Sequence, residues 1–461
     1  MNDVLVTSDE NATSIHLVQS DNLENWCAGT DDVTRNWLHA HDFKATAGSY
    51  LVVPDAGGGA ACIVLGVSAP VSLWDIAGLP KSLPDGTYKL VGDCDQEARD
   101  TCALGWLLGC YAYSNYKSDA TPKTYPRLVI PEGTDAATTQ AFADATTLVR
   151  DLINAPPNEL GPTALAAAAK ALADQFGASF EETVGDDLLK NNFPAIHAVG
   201  RAAEDAPRLI EITWGSSDHP VVALVGKGVC FDSGGLDIKS AAGMKLMKKD
   251  MGGAAHVLGI AHCVMAMGLK VHLKVLVPAV ENAIAGNAMR PSDIVPTRAG
   301  ITVEIGNTDA EGRVILADAL TRAGESNPEV VIDCATLTGA ARVALGTELP
   351  ALFCNDDKFA DEILSAGQRA TDPLWRMPLW PGYRKMIEGK VADITNSPDG
   401  GYAGAITAAL FLERFAPEGA AWAHTDIMAW NVSSKPGRPE GGEAMGMRAF
   451  VGALISRFGK A

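Results

Sequence analysis

The sequence predicts an α/β fold in two domains. The smaller is an N-terminal α/β domain over residues 1–130, and the larger covers 138–461 on a central, mainly parallel sheet flanked by helices. Three observations carry this expectation. From Thr138 onward, the β-branched runs "PRLIEITWG", "PVVALVGKGVCF", "LKVHLKVLVPAV" and "EVVIDCAT" alternate with helical patterns such as "AAHVLGIAHCVMAMG" and "VILADALTRAGES". Apolar strands separated by helices imply a parallel sheet covered on both faces. The length, 461 residues, exceeds what one core ordinarily serves. Finally, a polar, proline-bearing stretch at 117–135 divides two parts of different pattern and predicts a connection between domains.

Taken in order, "SYLVVPD" and "ACIVLGVS" read as strands joined across the glycines of "AGGGA". Residues 95–117 put Ala103, Leu107, Cys110 and Tyr111 near helical spacing, which predicts an amphipathic helix. No chemistry-bearing side chains gather before residue 130, so that domain is expected to serve structure or assembly. Beyond the connection, "TTQAFADATTLVRDLINA" and "TALAAAAKALADQFG" read as helices around the turn cluster "PPNELGP".

Composition narrows the function. Apolar residues at 47% support a sizeable packed interior. Lys plus Arg number 37 against 56 acids, a net charge of −19, and such a surface repels phosphate backbones and anionic lipid. Nucleic acid is therefore not the expected partner. Nine cysteines at irregular spacing, with no CxxC pair, point to reduced thiols. The N-terminus carries acids where a signal peptide is basic, and no apolar run approaches a membrane span. A soluble cytoplasmic protein without membrane contact is expected.

Charge appears at the carboxyl ends of the predicted strands, where sites form in α/β sheets. "VVALVG" leads into Lys227 and Asp232, and "ITVEIG" ends just before Asp309 and Glu311. The "DIKSAAGMKLMKKDMGGAAHV" segment adds Lys239 and Asp250. Each has an ordinary reading alone: a snorkelling lysine, an aspartate capping a turn, acids favouring a helix N-terminus. Together, four carboxylates in one pocket would not all stay ionised beside only Lys239 and Arg313. Divalent cations would supply the missing charge, and an oxygen-rich set with one nitrogen suits Zn²⁺, Mn²⁺ or Mg²⁺. There is no HExxH.

The blocks "VGKGVCFDSGGLDIK", "MKKDMGGAA", "NTDAEGR" and "DCATLTGA", with "NAPPNELGP" and "GAITAALFLERF", resemble the leucyl aminopeptidases, the two-metal family M17. The resemblance spans about residues 138–450; residues 1–130 match mainly in layout and in the helix ending "YAYSNYK". It implies a metal-dependent aminopeptidase that releases N-terminal amino acids by attack of a hydroxide bridging two metals. Lys227, Asp232, Asp250, Asp309 and Glu311 fall on the family's metal ligands, Asp232 and Glu311 on the bridging ones. Lys227 would ligate as a neutral amine, which demands a strongly lowered pKa. Lys239 and Arg313 match the residues assigned as catalytic, and Arg313 is expected to hold a bicarbonate that shuttles the proton. In this reading Asp309, Glu311 and Arg313 alternate along an extended turn and point to one side. The resemblance further implies two divalent ions per chain (Zn or Mn), peptides with a free N-terminus as substrates, and a homohexamer.

Met244, Met247 and Met251 recur at helical spacing and read as helix core. By resemblance, however, Met247 lines the pocket for the first substrate residue, with Leu337 and Gly339 in another pocket block. The family's "HLDIAG" block stands here as "HTDIMAW", so Met428 replaces an alanine and Ala429 a glycine, which predicts a reshaped pocket. Two alternatives follow: a narrow dipeptidase for cysteinylglycine-like substrates, and a non-catalytic assembly or DNA-binding relative.

Overall fold

The computed structural model describes residues 4–92, 94–118 and 124–460. The chain divides into two compact units: residues 1–144 with Ser433–Glu440, and residues 145–432 with 441–461.

The first unit has a six-stranded sheet in which Tyr50–Pro54 pairs antiparallel with Ala60–Val67, the hairpin expected from the sequence. The predicted 95–117 helix is shorter, Gln96–Gly109, and it is buried on all faces from Cys102 onward rather than amphipathic. It closes where the Cys110 amide bonds back to Leu107, just before a polar stretch. Part of the expected connection at 117–135 lies outside the described residues, and Arg127–Val129 within it is a strand of this sheet. The late segment 433–440 joins this unit because the Arg438 guanidinium sits 5.0 Å over the Trp74 ring.

The second unit carries a nine-stranded sheet: β1 (Ser179–Val184), β2 (Arg208–Trp214), β3 (Val221–Gly226), β4 (Gly228–Asp232), β5 (His272–Asn282), β6 (Val330–Ala335), β7 (Ala351–Cys354), β8 (Trp375–Arg376) and β9 (Ala421–Asp426). Their spatial order is β8-β7-β9-β6-β3-β5-β2-β1, with β4 also pairing to β5. The central run β9-β6-β3-β5 is parallel, and the antiparallel steps are β9 to β7, β5 to β2 and β2 to β1. Every residue of β6 is buried, as a strand covered on both faces requires. The helix α1 (Gly252–Ala266) is buried from Gly252 to Met265 and is correspondingly apolar all round. The helix α2 (Glu311–Gly324) follows the carboxylate motif, and the short α3 (Gly339–Leu345) follows β6.

Two expectations are revised. "PVVALVGKGVCF" is not one strand: it is interrupted at Lys227, where β3 ends, and β4 resumes the parallel pairing along the later half of β5. "ITVEIG" contributes only Thr302–Glu304, in a separate three-stranded sheet with Ile294–Pro296 and Ile394–Thr395.

Candidate active site

Lys227 occupies the break between β3 and β4. Its amide donates to the Cys334 carbonyl (3.0 Å) and its carbonyl accepts the Ala254 amide (2.8 Å), so its backbone is tied to β6 and α1. The side chain is 3% exposed; Nζ lies 2.6 Å from Asp250 Oδ2 and 3.0 Å from Glu311 Oε1, and donates to the Thr336 carbonyl at 3.0 Å. Asp250 comes from the 3₁₀ turn Met247–Met251, with its other oxygen accepting from the Thr336 hydroxyl at 2.8 Å.

Asp232 ends β4. Its Oδ1 accepts the Gly234 amide and the Asn282 side chain, both at 2.9 Å, while Oδ2 lies 2.8 Å from Lys239 Nζ. Gly234 and Gly235 turn the chain there at φ of 89° and 66°, a region that favours glycine. Lys239 also pairs with Asp309, and its side chain is 15% exposed. Oxygens of Asp232, Asp309 and Glu311 lie within 4.8 Å of one another.

The extended-turn reading of 309–313 does not hold. Asp309 lies in a turn, its amide bonded to Asn307 Oδ1 at 2.8 Å, but Glu311 opens α2. In a helix, residues two apart do not share a face. Arg313 instead sends Nη1 to the Asn396 carbonyl at 2.7 Å, and its buried Nε has no hydrogen-bond partner. Gly312 lies between them because Lys227 runs across it: a Cβ there would sit 2.4 Å from Lys227 Cε.

Electrostatics show how crowded the cluster is. Burial, reinforced by Asp232 and Asp250, pushes the Glu311 carboxyl up to about 8, and its Oε2 has no hydrogen-bond partner. Burial and Asp232 also raise Asp309. Burial alone would lower Lys227 and Lys239, but the surrounding carboxylates outweigh it and hold both above the usual lysine value. With protein charges only, Lys227 is thus the opposite of a neutral amine. Burial lowers the Arg313 guanidinium to about 10.

Of the expected pocket residues, Met247 is buried, Leu337 and Met428 are half-buried, and Gly339 is exposed at the start of α3. The three methionines do not lie on one helix: Met244 ends a short helix, and Met247 and Met251 bound the 3₁₀ turn that follows. Asp426 ties two of these segments together. It accepts the Leu337 and Thr338 amides and the Thr338 hydroxyl, with Met428 two residues further on. Ala429 adopts φ 56°, the left-handed region that a glycine would occupy without strain.

Sequence reasoning missed the residues that orient the carboxylates. Asn282 grips Asp232 and the Thr308 carbonyl, and a polar residue closing a long apolar strand was its available signal. Asn396, which grips the loop bearing Asp309, gave none. A separate hollow of about 130 Å³ beside Glu211, Lys274 and Arg322 holds no comparable cluster, since Glu211 is already bound twice by Arg322.

Residues 147–451 match the model of the cytosol aminopeptidase family catalytic domain, and residues 13–131 match the M17 aminopeptidase N-terminal domain. A crystal structure of cytosol aminopeptidase from Coxiella burnetii is similar at 45% identity and a TM-score of 0.94, covering 99% of this chain and 100% of that one. A probable cytosol aminopeptidase of Roseiflexus castenholzii is 42% identical over 366 residues, 76% of this chain and 75% of its own length. The bottromycin maturation enzyme BotP in complex with Mn is 33% identical at a TM-score of 0.87, covering 96% of this chain and 99% of that one.

Proposed function

The chain belongs to the cytosol aminopeptidase family, M17, and is a metal-dependent aminopeptidase; we propose that it works with two divalent cations held by Lys227, Asp232, Asp250, Asp309 and Glu311. The observation carrying this reading is Glu311: a buried carboxylate with an unpartnered oxygen, set among Asp232, Asp250 and Asp309. Two lysines do not neutralise four acids, so the donor set fits divalent cations. BotP has been solved in complex with Mn, which supports Mn as one candidate; Zn suits the same donors.

Each residue then has a role. Asp232 and Glu311 would bridge the ions, with Asp309 and Asp250 completing the two sides. Lys227 would lose its proton on loading, because nearby dications reverse the field that now keeps it charged. Bound there, the cations supply an acidified water and polarise the scissile carbonyl. Lys239 reaches the open edge of the cluster, placed to donate to the oxygen on which negative charge develops. Arg313 is too basic to act as a base, but its free Nε offers a donor to a small anion such as bicarbonate, which would carry the proton. Met247, Leu337, Gly339 and Met428 are proposed to form the pocket for the first residue of a peptide with a free N-terminus.

A homohexamer in the cytoplasm, with residues 1–130 serving assembly and 138–461 catalysis, completes the proposal. Among the described residues no helix is long and apolar enough to cross a membrane. Nothing found favours the narrow dipeptidase or the silent assembly or DNA-binding relative over the aminopeptidase.

The test is hydrolysis of a leucine anilide by the purified protein before and after chelation, then with Mn²⁺ or Zn²⁺ restored. Activity that leaves and returns with the metal is expected. Turnover unaffected by complete metal removal would defeat the reading.

A further inference from the structure

Asn396 is fully buried and comes from a segment some ninety residues beyond the carboxylate motif. Its side chain is engaged at both ends by the loop that leads into Glu311. Oδ1 accepts the amides of Gly306 (2.8 Å) and Asn307 (3.3 Å), while Nδ2 donates to the carbonyls of Asn307 (2.7 Å) and Ala310 (3.2 Å). Its backbone is held as well: the amide donates to the Glu304 carbonyl at 3.0 Å, and the carbonyl accepts Arg313 Nη1 at 2.7 Å. One residue therefore clamps the loop before and after Asp309 and also seats the guanidinium of Arg313.

We infer that Asn396 is a positioning residue for the aminopeptidase reaction: it fixes the 306–310 loop so that Asp309 and Glu311 face the cations, and it anchors Arg313. The inference rests on the metal-site reading above. The opposite side of the loop is gripped separately, by Asp237 on the Thr308 amide and by Asn282 on the Thr308 carbonyl. Those contacts hold the centre of the loop, and the Asn396 side chain supplies its flanks. The chemistry requires a carboxamide. Two acceptances and two donations from one planar group exceed what an aspartate, with acceptors only, can offer. A longer glutamine would not fit a site that admits no solvent.

Asn396→Ala and Asn396→Asp test this against wild type by three measurements: hydrogen exchange of the metal-free protein, Zn²⁺ and Mn²⁺ affinity by competition with a chromogenic chelator, and kcat with KM on a leucine anilide. In both variants exchange should quicken within 306–313 and stay unchanged in α1 and β6. Metal affinity and kcat should each fall by about 10- to 100-fold while KM stays within about two-fold, as for partners that orient metal ligands. Asn396→Asp keeps the two accepted bonds but turns an acceptor oxygen toward the Asn307 and Ala310 carbonyls, so it should be the harsher in exchange, and Asn396→Ala, which only removes bonds, carries the test if Asn396→Asp does not fold. Metal affinity and kcat at wild-type levels would overturn the inference. So would faster exchange throughout the unit with kcat per metal-loaded molecule unchanged, which would make the role merely structural. Wild type that binds no metal would instead remove the metal-site reading itself.

Discussion

Gly312→Ala separates the needs of the fold from those of the site. Gly312 lies in the first turn of α2, where alanine is intrinsically better than glycine by up to about 1 kcal/mol. Its added Cβ, however, would sit 2.4 Å from Lys227 Cε, 2.7 Å from Cδ and 2.8 Å from Nζ. Carbon atoms rest about 3.5–4.0 Å apart, so the lysine tip must retreat by about 1 Å. Such a retreat takes Nζ from its 2.6 Å contact with Asp250. At an effective dielectric constant of about 20, the lost attraction is about 2 kcal/mol. The obstructing atoms end a flexible chain, so the fold should adapt, with the urea midpoint shifting by no more than about 1–2 kcal/mol in equivalent stability. The site has no such freedom: a ligand misplaced by about 1 Å should reduce turnover by about 100-fold. The assay is metal content per chain with leucine-anilide turnover, alongside urea unfolding of the metal-free protein. Wild-type metal content and turnover in the variant would show that Lys227 does not need its present position.

Three other perturbations probe separate claims. Glu311→Gln should retain the fold, bind fewer than two metals per chain and lose most activity; full occupancy and full rate by metal analysis would exclude a bridging carboxylate. Met428→Ala should shift preference toward larger first residues across a panel of aminoacyl anilides, whereas an unaltered panel would place Met428 outside the pocket. His256 is buried with Nδ1 bonded to the Gly252 carbonyl and Nε2 accepting the Met445 amide, and burial lowers it to about 4. A base whose folded pKa is depressed is protonated first in the unfolded chain, so stability is lost as pH falls from about 6.5 to about 4, by about 3 kcal/mol in full. Metal-free wild type and His256→Gln should therefore differ in the pH dependence of unfolding over that window; parallel curves would assign the acid sensitivity elsewhere.

The central sheet was legible because β3, β5 and β6 are covered on both faces, which leaves an almost uninterrupted apolar record. β1 was not recognised, for its sequence SFEETV lies at an exposed edge and mixes acids with apolar residues. β9, AWAHTD, is wholly buried yet carries His424, Thr425 and Asp426, whose polar atoms are engaged by Asp333, the Ala351 carbonyl and the loop after β6. Such satisfaction by distant partners leaves no local periodicity to read. The charged residues were visible because acids and lysines at strand ends break an apolar pattern. Their directions were not visible. The alternation of Asp309, Glu311 and Arg313 suggested an extended turn, although "VILADAL" directly after it already has helical spacing, and the helix begins at Glu311. Asn396 is recognisable only from its hydrogen bonds, since nothing in "ITNSPDGG" distinguishes a clamp from a turn.

The two lysines show how burial divides one residue type between two tasks. Both lie between pairs of carboxylates and both are held above the ordinary lysine value. Lys227 is 3% exposed, bound at the backbone by β6 and α1, and covered by the helix start that Gly312 opens for it. No substrate atom reaches such an ammonium, so any chemical role must be exerted on what the carboxylates hold. Lys239 follows a glycine turn, is 15% exposed, and pairs with Asp309, the most exposed acid of the cluster at 30%. A cation there can exchange a carboxylate contact for one with a polarised carbonyl without leaving its position. On the proposed reading, enclosure suits the first lysine to hold a cation and partial exposure suits the second to donate to substrate.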